Sequence, residues 1–131
     1  MLVLVVDDNQ AVLAVVAPIL RRYGYRVLQA QNLAAARRIW ARLGRRIDLV
    51  VTDIQMPDGS GFDLFTEFAA DRPHTPVVFM SGGYVPHDPV IRAHLGPRRA
   101  FVAKPFRFSA LLERIGEVMA HSARIALAAG N

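Results

Sequence analysis

Short apolar runs alternate with longer amphipathic segments along this chain of 131 residues. The apolar runs predict five strands, at 2–6, 25–29, 48–52, 76–80 and 99–102. The first, third and fourth contain unbroken apolar stretches, which is typical of strands buried on both faces of a parallel sheet. The pattern therefore favours a sheet with helices on both sides over a half-exposed antiparallel sheet.

The segments between these strands have the spacing of amphipathic helices. Helices are predicted at 9–23, 32–43, 62–71 and 88–95, and a fifth opens at Ser109. Their predicted core positions include Trp40 in the second helix, Phe62, Phe65 and Phe68 or Ala69 in the third, and Leu112, Ile115, Val118 and Met119 in the fifth.

Five strand–helix units in succession imply right-handed crossovers and a parallel sheet covered on both faces. We expect one α/β domain over residues 1–121, because this length is sufficient for a single hydrophobic core. The alanine-rich segment 122–131 is expected to be either a continuation of the last helix or a tail.

Polar side chains follow four of the predicted strands. Asp7 and Asp8 follow the first, Asp53 the third, Ser81 the fourth and Lys104 the fifth. Because ligands of open α/β sheets bind beyond the carboxyl ends of the strands, we expect these side chains to meet. Carboxylates roughly 4 Å apart repel by about 4 kcal/mol at an effective dielectric near 20, and oxygen ligands suit Mg²⁺. The acids therefore predict a magnesium site.

Lysine occurs once in the chain, at Lys104, among 16 basic residues. Its ammonium is a compact point charge that arginine does not replace at a site shaped for it. Asp53 precedes a loop rich in turn residues, which is expected to leave the carboxylate accessible. A carboxylate beside Mg²⁺ can become an aspartyl phosphate, with Lys104 and Ser81 contacting the phosphoryl group. The bond before Pro105 is expected to be cis, directing the lysine into the site.

The combined motifs resemble the receiver domain of two-component response regulators, including those of hybrid histidine kinases, over about residues 2–120. The motifs are Asp7-Asp8, Asp53 followed by Met56-Pro57 and Gly61, Met80-Ser81-Gly82, and Lys104-Pro105-Phe106. The resemblance implies a flavodoxin-like (βα)5 doubly wound fold with strand order 2-1-3-4-5. It also implies a signalling domain that is not an enzyme, beyond catalysing its own phosphorylation and dephosphorylation.

The resemblance implies a role for each site residue. Mg²⁺ would be held by Asp8, Asp53 and the backbone carbonyl of Gln55, with Asp7 acting through water. Asp53 would accept the phosphoryl group, and Lys104 and Ser81 would contact it.

The same resemblance implies a switch made by Ser81, Phe101 and Pro105, in which Phe101 acts by packing because it has no hydroxyl. The implied partner is a histidine kinase or a histidine phosphotransfer protein. The implied assembly is a monomer or a weak dimer through the face formed by helix 4, strand 5 and helix 5.

Charge and composition narrow the partners further. Residues 1–46 hold eight arginines and two acids, whereas residues 47–131 hold eight basic and nine acidic residues. The arginine-rich residues 1–46 form either a solvated surface or a docking face for an acidic partner. The sequence contains no basic helix interleaved with aromatic residues, so we do not expect direct nucleic-acid binding. The chain has no cysteine, and its first apolar run is too short for a leader or a membrane span, so we expect a cytoplasmic protein.

Two other kinds of domain that bind nucleotides or transfer phosphate fit this sequence less well. A dinucleotide-binding domain has a glycine-rich turn after its first strand, where this chain has Asp7-Asp8-Asn9-Gln10. A magnesium-dependent phosphatase of the haloacid dehalogenase type is the alternative that shares aspartyl-phosphate chemistry. That family has a second Asp two residues after the nucleophile, where Gln55 stands after Asp53.

Overall fold

Five strands form one parallel sheet in the computed structural model, which describes residues 1–85 and 87–130 without the side chains of 121–130. The strands are β1 (Leu2–Val6), β2 (Arg26–Ala30), β3 (Leu49–Asp53), β4 (Val77–Ser81) and β5 (Arg99–Ala103). Their order across the sheet is β2-β1-β3-β4-β5, which confirms the predicted doubly wound fold. Strand order reverses between β1 and β3, so the two strands that precede the acids are neighbours.

Helices connect the strands at the predicted places. They are α1 (Gln10–Arg22), α2 (Leu33–Leu43), α3 (Gly61–Asp71), α4 (Pro89–His94) and α5 (Phe108–Gly130). A short 3-10 turn follows α2, and a small antiparallel hairpin pairs Gln55–Met56 with Gly59–Ser60 between β3 and α3. The strands after β1 each end one residue later than predicted, because polar residues such as Asp53 and Ser81 still belong to the ladder. The strands β2, β3 and β4 also begin one residue later, whereas β5 begins where it was predicted.

The helices divide between the two faces of the sheet. One apolar cluster joins α1 and α5 to the sheet through residues such as Leu13, Leu20 and Ile115. The other joins α2, α3 and α4 through residues such as Leu33 and Phe68. Alternate residues of β1 contribute to opposite clusters, as the period of two in a strand requires.

The predicted core positions of α3 and α5 are partly wrong. In α3 the buried apolar side chains are Leu64 and Phe68, whereas Phe62 and Phe65 are only partly buried. In α5 the predicted residues Ile115 and Val118 are buried together with Leu111, whereas Leu112 and Met119 are only partly buried. Each of these two helices begins one residue earlier than predicted, at Gly61 and Phe108. The rotation of each helix about its axis, which is set by packing, determines which side chains point at the sheet.

Trp40 lies in the core as predicted. Its ring stacks on that of Phe68 with centroids 3.9 Å apart, and its indole N–H donates to Asp71 Oδ2 at 3.0 Å. This contact fastens α2 to α3 on one face of the sheet.

The backbone of α5 continues to Gly130. Of the segment 122–131, expected to be a continuation of the helix or a tail, the backbone of 122–130 is helical and residue 131 lies outside the described part of the chain. Among residues 1–85 and 87–130, every helix is too short or too polar to cross a membrane.

Candidate functional site

The polar residues predicted to meet do lie at one edge of the sheet. Asp7 and Asp8 follow β1, Asp53 ends β3, Ser81 ends β4 and Lys104 follows β5. The ladder continues past the last strand, because the N–H of Lys104 donates to the carbonyl of Ser81 at 2.9 Å. Parallel strands thus bring together residues that are up to 97 positions apart.

Three carboxylates form a cluster at this edge. One oxygen from each of Asp7, Asp8 and Asp53 lies within 4.8 Å of the others. Asp7 is completely buried and Asp53 is almost buried, whereas Asp8 faces the solvent. Oxygen-only donors with one side open to water are the kind of set that Mg²⁺ prefers. The residues present therefore fit the predicted metal.

Lys104 bridges two of these acids. Its Nζ lies 2.6 Å from Asp7 Oδ2 and 3.3 Å from Asp53 Oδ2. Burial by itself would lower the pKa of Lys104, but the hydrogen bond from Lys104 to Asp7 and the charges of Asp53 and Asp7 outweigh it, so the pKa is raised. The ammonium therefore stays charged and neutralises part of the acidic cluster.

The Asp53 carboxylate is less accessible than the sequence predicted, with its side chain 11% exposed. Burial raises its pKa above the ordinary value, the charge of Lys104 opposes that shift, and the charge of Asp7 adds to it. The N–H of Gln55 points toward Asp53 Oδ1 at 3.4 Å. The loop that follows Asp53 is a paired hairpin and not the open turn that the sequence predicted.

Gly61 lies directly behind the phosphoacceptor candidate. A Cβ on Gly61 would come within 2.2 Å of the backbone oxygen of Asp53. The Gly61 N–H also donates to the carbonyl of Ile54 at 2.7 Å. Only glycine allows α3 to begin this close to the end of β3.

Ser81 is fully buried at the end of β4. Its hydroxyl oxygen accepts the N–H of Gly83 at 3.0 Å, which leaves the hydroxyl proton available to a further acceptor. The structure therefore places this hydroxyl at the same sheet edge as the acids and the lysine.

The two other residues assigned to the switch lie outside the acidic cluster. Phe101 is in the middle of β5, is 8% exposed, and stands beside Phe79 in the sheet. Pro105 is exposed, and the Lys104–Pro105 peptide bond is cis, as predicted.

Asp58 has a role near the site that the sequence did not predict, since it belongs to the loop that was interpreted only as a turn. Its two carboxylate oxygens accept the N–H groups of Leu33 and Ala34 at 3.0 and 3.1 Å. These are the first residues of α2, 25 positions earlier in the chain. Local patterns carry no signal for a contact between a hairpin and a distant helix.

The arginines of the first half do not form a single docking face. Arg21 and Arg22 end α1 on one side of the sheet, whereas Arg37, Arg38 and Arg42 lie on α2 on the other side. Arg37 is also engaged by the α3 residue Glu67, at 2.8 Å.

Comparison with known proteins gives consistent matches. A family model described as the response regulator receiver domain matches residues 3–116. The chain is 36% identical over 122 residues to the DNA-binding transcriptional regulator NtrC of Rhizobium meliloti (strain 1021), covering 93% of this chain and 25% of that protein. NtrC of Bradyrhizobium sp. (strain RP501 Parasponia) is 34% identical over 118 residues, covering 90% of this chain and 24% of that protein. The chain spans about a quarter of the length of these two relatives.

Solved structures agree with the sequence matches. A response regulator receiver domain protein from Clostridium thermocellum superposes with a TM-score of 0.83 at 25% identity, covering 95% of this chain and 98% of that one. The receiver domain of the hybrid histidine kinase CckA superposes with a TM-score of 0.76 at 29% identity, covering 91% and 99%.

Proposed function

We propose that this chain, a member of the response regulator receiver domain family, accepts a phosphoryl group on Asp53. The proposed donor is a phosphohistidine of a histidine kinase or of a phosphotransfer protein. The observation that carries the proposal is the position of the Asp53 carboxylate, between two other acids and the only lysine. We place this reaction in the cytoplasm, where ATP supplies histidine kinases.

The metal in this proposal is Mg²⁺, held by Asp8, Asp53 and the backbone carbonyl of Gln55, with Asp7 acting through water. The fit of the donors supports it, because three carboxylate oxygens converge and Asp8 leaves one side open to solvent. When bound, Mg²⁺ would neutralise charge on the oxygens of the transferring phosphoryl group.

The proposed transfer is a displacement at phosphorus. A carboxylate oxygen of Asp53 attacks the phosphorus, and the P–N bond of the phosphohistidine breaks with its electron pair going to the imidazole nitrogen. The product is an acyl phosphate on Asp53. Water later hydrolyses this bond, which releases inorganic phosphate and regenerates the carboxylate.

Lys104 and Ser81 then contact the phosphoryl oxygens. Lys104 already lies 3.3 Å from Asp53, so its ammonium needs only a small displacement from Asp7 to reach a group on that carboxylate. The Ser81 hydroxyl has a proton to donate, because its oxygen accepts the N–H of Gly83. Movement of Ser81 toward the phosphate opens space beside β5, and Phe101 responds by repacking.

An apolar groove next to the site suits a helix of the phosphodonor. Its volume is about 270 Å³, and it lies between α1 and the chain after Lys104. It is lined by Ala11, Val12, Val15, Val16, Lys104, Pro105, Phe106 and Phe108. Val15 at its border is half exposed, so a partner helix would cover apolar surface beside the reacting carboxylate.

The test uses the wild type and the Asp53→Asn variant, incubated with Mg²⁺ and acetyl phosphate. We expect the wild type to gain one acid-stable, base-labile phosphate and the variant to gain none. Asp8→Ala should retain the nucleophile but lose Mg²⁺ binding and label slowly. Undiminished labelling of Asp53→Asn would move the acceptor to another acid. Continuous release of phosphate with turnover would instead indicate a phosphatase.

A further inference from the structure

The hairpin after Asp53 is fastened at its tip to a different helix. Asp58 Oδ1 accepts the N–H of Leu33 at 3.0 Å, and Oδ2 accepts the N–H of Ala34 at 3.1 Å. These donors belong to the first turn of α2, where N–H groups lack partners within the helix and the helix dipole favours a negative charge. Asp58 thus supplies a cap from outside the helix.

The packing around this contact is close. Gly59 has a φ of +145°, and a Cβ there would lie 2.8 Å from Leu33 Cδ1. Met56, on the other strand of the hairpin, is buried in the same apolar cluster as Leu33. The hairpin therefore lies directly against the start of α2.

The base of the same hairpin reaches the acidic cluster. Gln55 pairs with Ser60 across the hairpin, and its N–H points toward Asp53 Oδ1 at 3.4 Å. Asp58 is at the tip, three residues along the chain from Gln55. The hairpin has only two residue pairs, so its tip and its base form one short segment.

We propose that Asp58 is a positioning residue, which holds the hairpin against α2 so that Gln55 is aligned with the acidic cluster, and which thereby couples Mg²⁺ affinity to the first turn of α2. The inference rests on the proposed function in one respect, the assignment of the Gln55 carbonyl as a metal ligand. By reciprocity, Mg²⁺ binding stabilises the first turn of α2 as much as that turn favours Mg²⁺ binding.

The charge of Asp58 is suited to this role. The hydrogen bond from Leu33, followed by that from Ala34 and the charge of Arg37, holds the pKa of Asp58 below its ordinary value. The carboxylate therefore remains an acceptor of two hydrogen bonds at neutral pH.

The chain offers a matched control in Asn32. Its side chain accepts the N–H of Ala35 at 2.7 Å, so it also caps the first turn of α2, but this cap comes from the residue that precedes the helix and not from the hairpin. Asp58→Ala and Asn32→Ala both remove acceptors from this turn. Only the first releases the hairpin.

The experiment measures Mg²⁺ affinity by calorimetry for the wild type, Asp58→Ala and Asn32→Ala. Partners that orient metal ligands typically change affinity by about tenfold or more when removed. We expect roughly a tenfold weaker affinity for Asp58→Ala and less than a twofold change for Asn32→Ala. Asp58→Asn, which keeps one oxygen acceptor, should lie between the wild type and Asp58→Ala.

Amide hydrogen exchange supplies a second readout that needs no phosphorylation. In the wild type, Mg²⁺ should slow exchange at Leu33 and Ala34, and this response should disappear in Asp58→Ala. Equal loss of affinity in Asp58→Ala and Asn32→Ala would show that only helix stability matters, and it would overturn the proposal. Unchanged affinity in Asp58→Ala would overturn it as well.

Failure of this inference is separable from failure of the proposed function. If the wild type binds Mg²⁺ and is labelled by acetyl phosphate while Asp58→Ala binds Mg²⁺ equally well, only the inference fails. If the wild type takes up no phosphate, the proposed function fails, whatever Asp58→Ala does.

Discussion

Replacing Lys104 by methionine should destabilise the metal-free protein, and Mg²⁺ should restore much of the loss. Methionine keeps an unbranched side chain of similar length but removes the ammonium that bridges Asp7 and Asp53. The three clustered carboxylates then repel without a counter-charge. A divalent cation supplies the missing charge, so the variant should gain more from Mg²⁺ than the wild type.

The size of the effect follows from the burial of the pair. Removing one partner of a buried ion pair costs about 3–5 kcal/mol. Lys104 is 21% exposed and Asp53 11%, so water screens part of the interaction, and we reduce the expected loss to about 2–3 kcal/mol. With an unfolding entropy of about 2.1 cal/mol/K per residue, this loss lowers Tm by roughly 7–11 °C for a chain of this length.

Thermal unfolding followed by circular dichroism measures this effect. Wild type, Lys104→Met and the control Arg38→Met are each unfolded with a chelator and again in millimolar Mg²⁺. Arg38 is exposed and has no ion-pair partner among the residues that the structure describes, so its removal should change Tm little. Ligand binding to the folded state raises stability by mass action, and the tighter binding expected in Lys104→Met gives the larger shift.

The pH dependence gives an independent check. The folded-state pKa of Lys104 is raised above 10.5, so its stabilisation is fully present below pH 10.5 and is lost as the pH rises through the raised value. The folded-state pKa of Asp53 is raised above 3.8, so its ionisation destabilises the fold at neutral pH and this penalty disappears as the pH falls through the raised value. The difference between wild type and variant should therefore shrink at both extremes.

The reasoning would be refuted by either of two results. The first is a metal-free Lys104→Met protein as stable as the wild type, since the ammonium would then contribute nothing to the cluster. The second is an equal Mg²⁺-induced rise in Tm for both proteins, since the lysine and the metal would then not neutralise the same charges.

Three further predictions test the packing and the charged surface. Gly61→Ala should lower stability and slow labelling together, because its Cβ would displace the backbone oxygen of Asp53; normal acetyl phosphate labelling would contradict this. Phe68→Ala should cost about 3–5 kcal/mol in urea unfolding, while the folded fraction is labelled normally. Reversing Arg21 and Arg22, which end the helix that borders the proposed groove, to glutamate should slow transfer from an acidic kinase several-fold at low salt and leave acetyl phosphate labelling unchanged. Equal kinase rates would show that these arginines are only a solvated surface.

Much of the fold was predictable because its signals are local. Apolar runs marked each strand, and the spacing of apolar residues marked each helix to within a residue or two. The ends of the strands were also enough to bring Asp7, Asp53 and Lys104 together, since parallel strands share one carboxyl edge whatever the details of packing. The family motifs then allowed the strand order to be predicted, and the sheet confirms it.

The side chains that point at the sheet in α3 and α5 were not predictable to the same degree. Leu64 and Leu111 are buried although they were not predicted to be, whereas the predicted core positions Phe65 and Leu112 are only partly buried. Several rotations of an apolar helix bury a comparable apolar stripe, and the choice among them depends on the surface of the sheet below. That surface exists only once the strands are assembled.

The sequence by itself determined which residues reach the site, and only the tertiary structure decided how they are engaged there. The ammonium of Lys104 lies closest to Asp7, the carboxylate of Asp53 is nearly buried, and Asp58 caps a helix 25 residues away. Each of these facts depends on distances of a few ångströms between residues far apart in the chain. Periodicity and motif spacing describe neighbours along the chain, so such distances are determined only when the helices and the sheet pack together.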